Sequence, residues 1–120
     1  MENLSAEPSE AAIQKKIGLD KLEFYKIEIV ILYYHLTHVE ILDLCADLNS
    51  STKRFRRLFE IQTREIEMIR RLIEEKEEAV TDKRKLLAYF SAVQHLIDDF
   101  EKSYYKTRLE FFHFLSQVNR

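Results

Sequence analysis

The stretch LLAYFSAVQHLIDDFEKSYYKTRLEFFHFLSQV, residues 86–118, decides the fold. Along it Leu86, Phe90, Val93, Ile97, Phe100, Tyr104, Thr107, Phe111, Phe114 and Val118 recur at alternating steps of four and three. Only an α-helix brings that spacing onto one face. A repeat of about 3.5 residues is the seam of a helix packed along another for several turns, so the pattern requires a partner helix of similar length. The second half of the same stretch carries another apolar row, Tyr105, Leu109 and Phe112, roughly opposite the seam. One face cannot hold both rows, so either a third helix or another chain is expected to cover the second.

Composition agrees with long helices. The chain has 120 residues, enough for one domain, with 33% charged and 46% hydrophobic content. It contains one glycine and one proline, whereas sheets and loop-rich folds use these residues at their turns. A net charge of −2 and a pI near 6.1 argue against general affinity for nucleic acid or an anionic membrane. The lone Cys45 cannot form an internal disulfide, and the polar, acidic first residues do not read as a signal peptide. The uncharged run Ile29 to Val39 is eleven residues; a bilayer span needs about 20. The expected compartment is the cytoplasm.

Working outward, residues 1–12 hold the only proline, Pro8, among serines and glutamates, and are expected to be a flexible leader before a single helical domain, 13–120. Gly18 is expected either to fray the first turns or to put the true start of the helix at Leu19. The first helix, about 13–48, carries one row at Leu22, Tyr25, Ile29, Leu32, Leu36, Val39 and Leu42. A second row runs Phe24, Ile27, Ile31, Tyr34, His38, Ile41, Cys45 and Leu48, so burial on two sides is expected. Its β-branched middle, Ile27 to Tyr34, has strand propensity, but the helical period runs through it without a turn signal. Asn49-Ser50-Ser51-Thr52 reads as the turn and cap before a second helix, 52–80, with a seam at Phe55, Phe59, Gln62, Ile66, Ile69, Ile73 and Val80 and a charged back.

Ala79-Val80-Thr81-Asp82 is a weak stop and start before the third helix, 83–118. Charge favours a break there. In a hairpin, Glu74, Glu75, Glu77 and Glu78 face Lys83, Arg84 and Lys85. Likewise Glu40, Asp43 and Asp47 face Lys53, Arg54, Arg56 and Arg57, while the acidic end of the second helix lies beside Lys15, Lys16, Lys21 and Lys26. These matches predict an all-α, up-down-up three-helix antiparallel bundle completed by dimerisation. The alternative is a two-helix hairpin with one continuous helix over 52–118.

Few residues suggest chemistry. His35 and His38, or His95 and Asp99, have spacings that suit a metal on one helix face, but the Glu-x-x-His pairs of di-iron bundles are absent. Cys45 sits on an apolar row near Asp43 and Asp47, which disfavours a reactive thiolate. With no phosphate-cradling glycine loop and no assignable triad, no enzyme, cofactor or metal is expected. The expected function is a non-enzymatic helical interaction module: an adaptor, scaffold or assembly subunit that binds a second copy or another helical protein. In this reading the third helix outruns the second, and Tyr105, Leu109, Phe111, Phe112, Phe114 and Leu115 make the contact. One alternative is a metal or apolar ligand held between Tyr33, Tyr34, His35, His38 and the facing helix. Another is weak nucleic-acid or membrane-surface binding through Lys53-Arg54-Phe55-Arg56-Arg57.

Overall fold

The computed structural model describes the backbone of residues 10–42, 46–79 and 82–118, and the side chains of these residues apart from 46–49, 76–79 and 83. The chain is a three-helix bundle: α1 (Glu10–Leu42), α2 (Ala46–Ala79) and α3 (Lys83–Val118) each pack against both others, in a rod 67 Å long. No strand occurs among the described residues. α2 runs antiparallel to α3, with Arg54 reaching Glu110 at one end and the Tyr89 hydroxyl donating to the Leu72 carbonyl near the other. A continuous helix over 52–118 is therefore excluded.

The core is the set of seams read from the sequence. Phe90, Val93, Ile97, Phe100, Tyr104, Phe111 and Phe114 of α3 are buried against Phe55, Phe59, Ile66, Ile69 and Ile73 of α2 and Leu22, Tyr25, Ile29, Leu32, Leu36 and Val39 of α1. Between α2 and α3 one core layer is polar. Gln62 is 2% exposed, and its amide nitrogen donates to the Thr107 hydroxyl at 2.9 Å, while Thr107 donates to the Ser103 carbonyl. A buried amide with a single complementary partner fixes the register of one helix on the other.

Three local readings change. The expected 49–52 turn lies inside α2, which begins at Ala46. Thr52 is buried three residues before Phe55 and continues the seam, so packing overrides the cap preference of Asn, Ser and Thr. Gly18 does not fray α1. It is buried where a Cβ would stand 3.3 Å from Ile97 Cδ1 and 3.6 Å from Ile73 Cδ1, so the missing side chain lets α1 approach both other helices. The leader lies largely outside the described residues, but its last three, Glu10 to Ala12, are the first turn of α1, with Ala11 buried. At the weak stop and start, Asp82 caps α3: its carboxylate accepts from the Arg84 amide, and its carbonyl accepts from the Leu86 amide.

Charge pairing follows the expected pattern only in part: Lys21 pairs with Glu101 of α3 and Glu74 with Arg70 of its own helix. Arg56 of α2 pairs with Glu40 of α1, and Lys26 of α1 with Glu67 of α2 at 3.3 Å. Of the acidic residues expected at the 74–85 turn, the side chains of Glu77 and Glu78 lie outside the described residues.

Candidate interaction surface

α1 is the element that the bundle does not finish covering. Its hydrophobicity has almost no directional bias, whereas α2 and α3 are strongly one-sided. A helix that is apolar all round needs cover all round. The first row of α1 lies in the core, except that Leu42 is exposed. The second row, Phe24, Ile27, Ile31, Tyr34, His38 and Ile41, faces outward, and Val30 joins it. Cys45 and Leu48 lie outside the described side chains.

The six contact residues expected at the end of α3 divide. Tyr105, Leu109 and Phe112 are exposed, at 46%, 72% and 43%. Phe111 and Phe114 belong to the chain's own core, and Leu115 is half-buried against it. The Phe111 ring meets Phe55 and Phe59 edge-on at 5.2 Å, and Phe114 packs on Phe55 at 5.3 Å. The expected overhang is corrected accordingly: the start of α2 reaches far enough to cover this seam. Only the row about 100° further round the helix is left to solvent. Missing from the expected contact set was the outward row of α1, whose signal was the doubled apolar pattern itself.

The two exposed rows are neighbours because α1 and α3 lie parallel in one register. The Tyr25 hydroxyl donates to the Glu101 carboxylate, and the Tyr104 hydroxyl to the Glu28 carboxylate; each pair is 76 residues apart in sequence. Tyr105 shares a 2.7 Å hydrogen bond with Tyr25, 80 residues away, and Arg108 pairs with Glu28 at 3.1 Å. This offset places Tyr105, Leu109 and Phe112 beside the stretch of α1 from Ile27 to Tyr34. The Phe24 and Tyr105 rings both meet Tyr25 edge-on, at 5.5 and 5.8 Å, so the outward rows join across the groove. The Arg108 guanidinium lies over Phe112, 5.3 Å from its centroid.

Electrostatics in the groove make it a clamp. Burial, and then the hydrogen bond to a carboxylate, push the Tyr25 and Tyr104 phenols far above their ordinary value, so both stay protonated as donors. Each carboxylate also faces a cation, Lys21 at 3.8 Å from Glu101 and Arg108 beside Glu28. Paired groups of this kind hold position and register.

The other candidates are not assembled into sites. Tyr34, His35 and His38 point to solvent, so no facing helix closes a cavity over them; only Tyr33 is half-buried, in the α1–α2 groove near Phe59 and Thr63. His95 and His113 are exposed on α3, and no group of three or more His, Cys, Asp or Glu suited to a metal ion occurs among the described residues. In the basic patch, Phe55 is buried, Arg54 pairs with Glu110 at 2.7 Å, and Arg56 pairs with Glu40. Arg54 holds the Glu110 carboxyl below its ordinary range, and Glu40 raises the Arg56 guanidinium. Lys53 and Arg57 remain exposed. No described helix is long and apolar enough to cross a membrane. No family model, curated protein or solved structure matches the chain.

Proposed function

We propose that this chain is a non-enzymatic helical interaction module, an adaptor, scaffold or assembly subunit that binds another helical surface, its own or a different protein's. The observation that carries the reading is the second apolar stripe of α1. Phe24, Ile27, Val30, Ile31, Tyr34 and Ile41 cover an arc of roughly 120° at 3.6 residues per turn, as wide as a stripe that faces a core. Tyr105, Leu109 and Phe112 extend it onto α3. With about 200 Å² for a fully exposed large side chain, these residues and Leu42 present roughly 1,200 Å². The largest apolar patch on an ordinary monomer is about 300–600 Å². The lone cysteine suits a reducing compartment, and we place the module in the cytoplasm.

A photo-crosslinking amino acid placed at Tyr34, and as a control at Arg64 on the charged back of α2, tests this in the cells that express the protein. Adducts at position 34 that are absent at position 64 are expected, with either a second copy or another protein. If neither position gives adducts, or both give the same ones, the interaction reading fails.

A further inference from the structure

Building on that reading, we infer that the face is occupied by a second copy of this chain, packed antiparallel about a two-fold axis near Ile31 and Tyr34. Three observations on the face point to self-pairing. The first is area: roughly 1,200 Å² of exposed apolar side chain per chain, at about 200 Å² per large side chain, exceeds the 800 Å² or so that each partner buries in a standard stable interface.

The second is charge. Near a two-fold axis a side chain faces its own copy, so a formal charge there meets a like charge. From Ile29 to Val39 α1 has no Asp, Glu, Lys or Arg, and its exposed positions there are Val30, Ile31, Tyr34, His35 and His38.

The third is position. The exposed α3 row lies beside Ile27 to Tyr34, so the widest part of the face coincides with the uncharged stretch of α1, and Arg108, which lies over Phe112 there, is paired with Glu28. An antiparallel partner centred there sets Ile31 against Tyr34, Ile27 against His38 and Phe24 against Ile41 of the other copy. Because α1 and α3 run parallel within a chain, the two-fold brings α1 and α3 of one copy onto α1 and α3 of the other. The four helices form an antiparallel layer whose macrodipoles oppose across the interface. A parallel pairing would align all four dipoles.

The experiment uses purified full-length chain with Cys45→Ser. Light scattering is expected to give twice the 14.5 kDa chain mass, and Ile31→Glu to return it to the single-chain mass with unchanged helical circular dichroism. Orientation is read by disulfide trapping. Mixed Phe24→Cys and Ile41→Cys proteins are expected to form a covalent heterodimer on mild oxidation, while Phe24→Cys alone stays uncrosslinked. A single-chain mass at every concentration up to 100 μM or so, far above the range of stable standard interfaces, overturns the proposal. A covalent dimer from Phe24→Cys alone overturns the antiparallel arrangement. If the purified chain is monomeric while Tyr34 crosslinks to a different protein in cells, the second copy is ruled out and the interaction module stands.

Discussion

Replacing Thr107 with valine keeps the side-chain shape and removes one hydroxyl from the buried Gln62–Thr107 layer between α2 and α3. Its cost depends on what Gln62 is left with. The Gln62 amide nitrogen donates to Thr107 at 2.9 Å, and its Oε1 is buried without a protein donor among the described residues. Thr107→Val therefore strands the whole amide, and a buried polar group without a partner costs about 1–3 kcal/mol. Gln62→Leu has the opposite sign. It removes the unpartnered oxygen and adds apolar burial, while Thr107 keeps its bond to the Ser103 carbonyl, so stability is expected to be unchanged or to rise by about 1 kcal/mol. In the Gln62→Leu background, Thr107→Val has no amide to strand and is expected to cost less than about 0.5 kcal/mol, giving a coupling of about 1–2 kcal/mol. Urea denaturation followed by circular dichroism measures all four corners of the cycle. With a slope of about 1–3 kcal/mol/M, the single valine variant should lose about 1 M in midpoint. All corners are made on Ile31→Glu, so that association does not contribute to the apparent stability. An equal cost for Thr107→Val in both backgrounds refutes the reasoning, because the hydroxyl would then be acting independently of Gln62.

Gly18→Ala is expected to stabilise the chain by up to about 1 kcal/mol in thermal unfolding, since alanine gains helix propensity and the nearest atom, Ile97 Cδ1 at 3.3 Å, is the movable end of a side chain. Gly18→Leu is expected to destabilise it by more than that, because the added branches would enter the space between Ile97 and Ile73. Of the six tyrosines, Tyr25 and Tyr104 are expected to stay silent in an ultraviolet titration of the native protein, and to ionise only as it unfolds. Their folded values are raised, so the stability they contribute is complete below the unfolded value of about 10 and is lost as the pH climbs above it. Unfolding monitored by circular dichroism should set in within that alkaline range, and Tyr25→Phe with Tyr104→Phe should lower stability at neutral pH and flatten its further loss as the pH rises.

Much of the fold was legible because a seam repeating at three and four residues has only one helical solution. Phe55 to Ile73 and Phe90 to Phe114 lie buried where that period puts them. Local preference was the weaker guide. Asn49 to Thr52 has the chemistry of a cap, but Thr52 occupies a seam position, and burying it against the bundle outweighs the tenths of a kcal/mol that separate such residues in helix propensity. Gly18 read as a weakness because its use, close approach of two neighbouring helices, exists only in three dimensions. The exposed apolar surface was half legible. The doubled row of α1 and the Tyr105-Leu109-Phe112 row were both visible as surplus. Sorting Phe111 and Phe114 from Phe112, however, required knowing how far the start of α2 extends along α3. Nor does sequence reveal that the two surplus rows adjoin, since that depends on the parallel register set by Tyr25 with Glu101 and Tyr104 with Glu28.

The helix with two greasy sides is also the first of the three to leave the ribosome. Synthesis at about 5–20 residues per second leaves its 33 residues several seconds without α2 and α3, long against the microseconds in which helices form. For that interval neither side of α1 has cover, and even a finished chain covers only one. Nascent chains on neighbouring ribosomes of one message would bring such helices together at high local concentration, so pairing during translation would shelter the outer side before a solitary chain had time to clump.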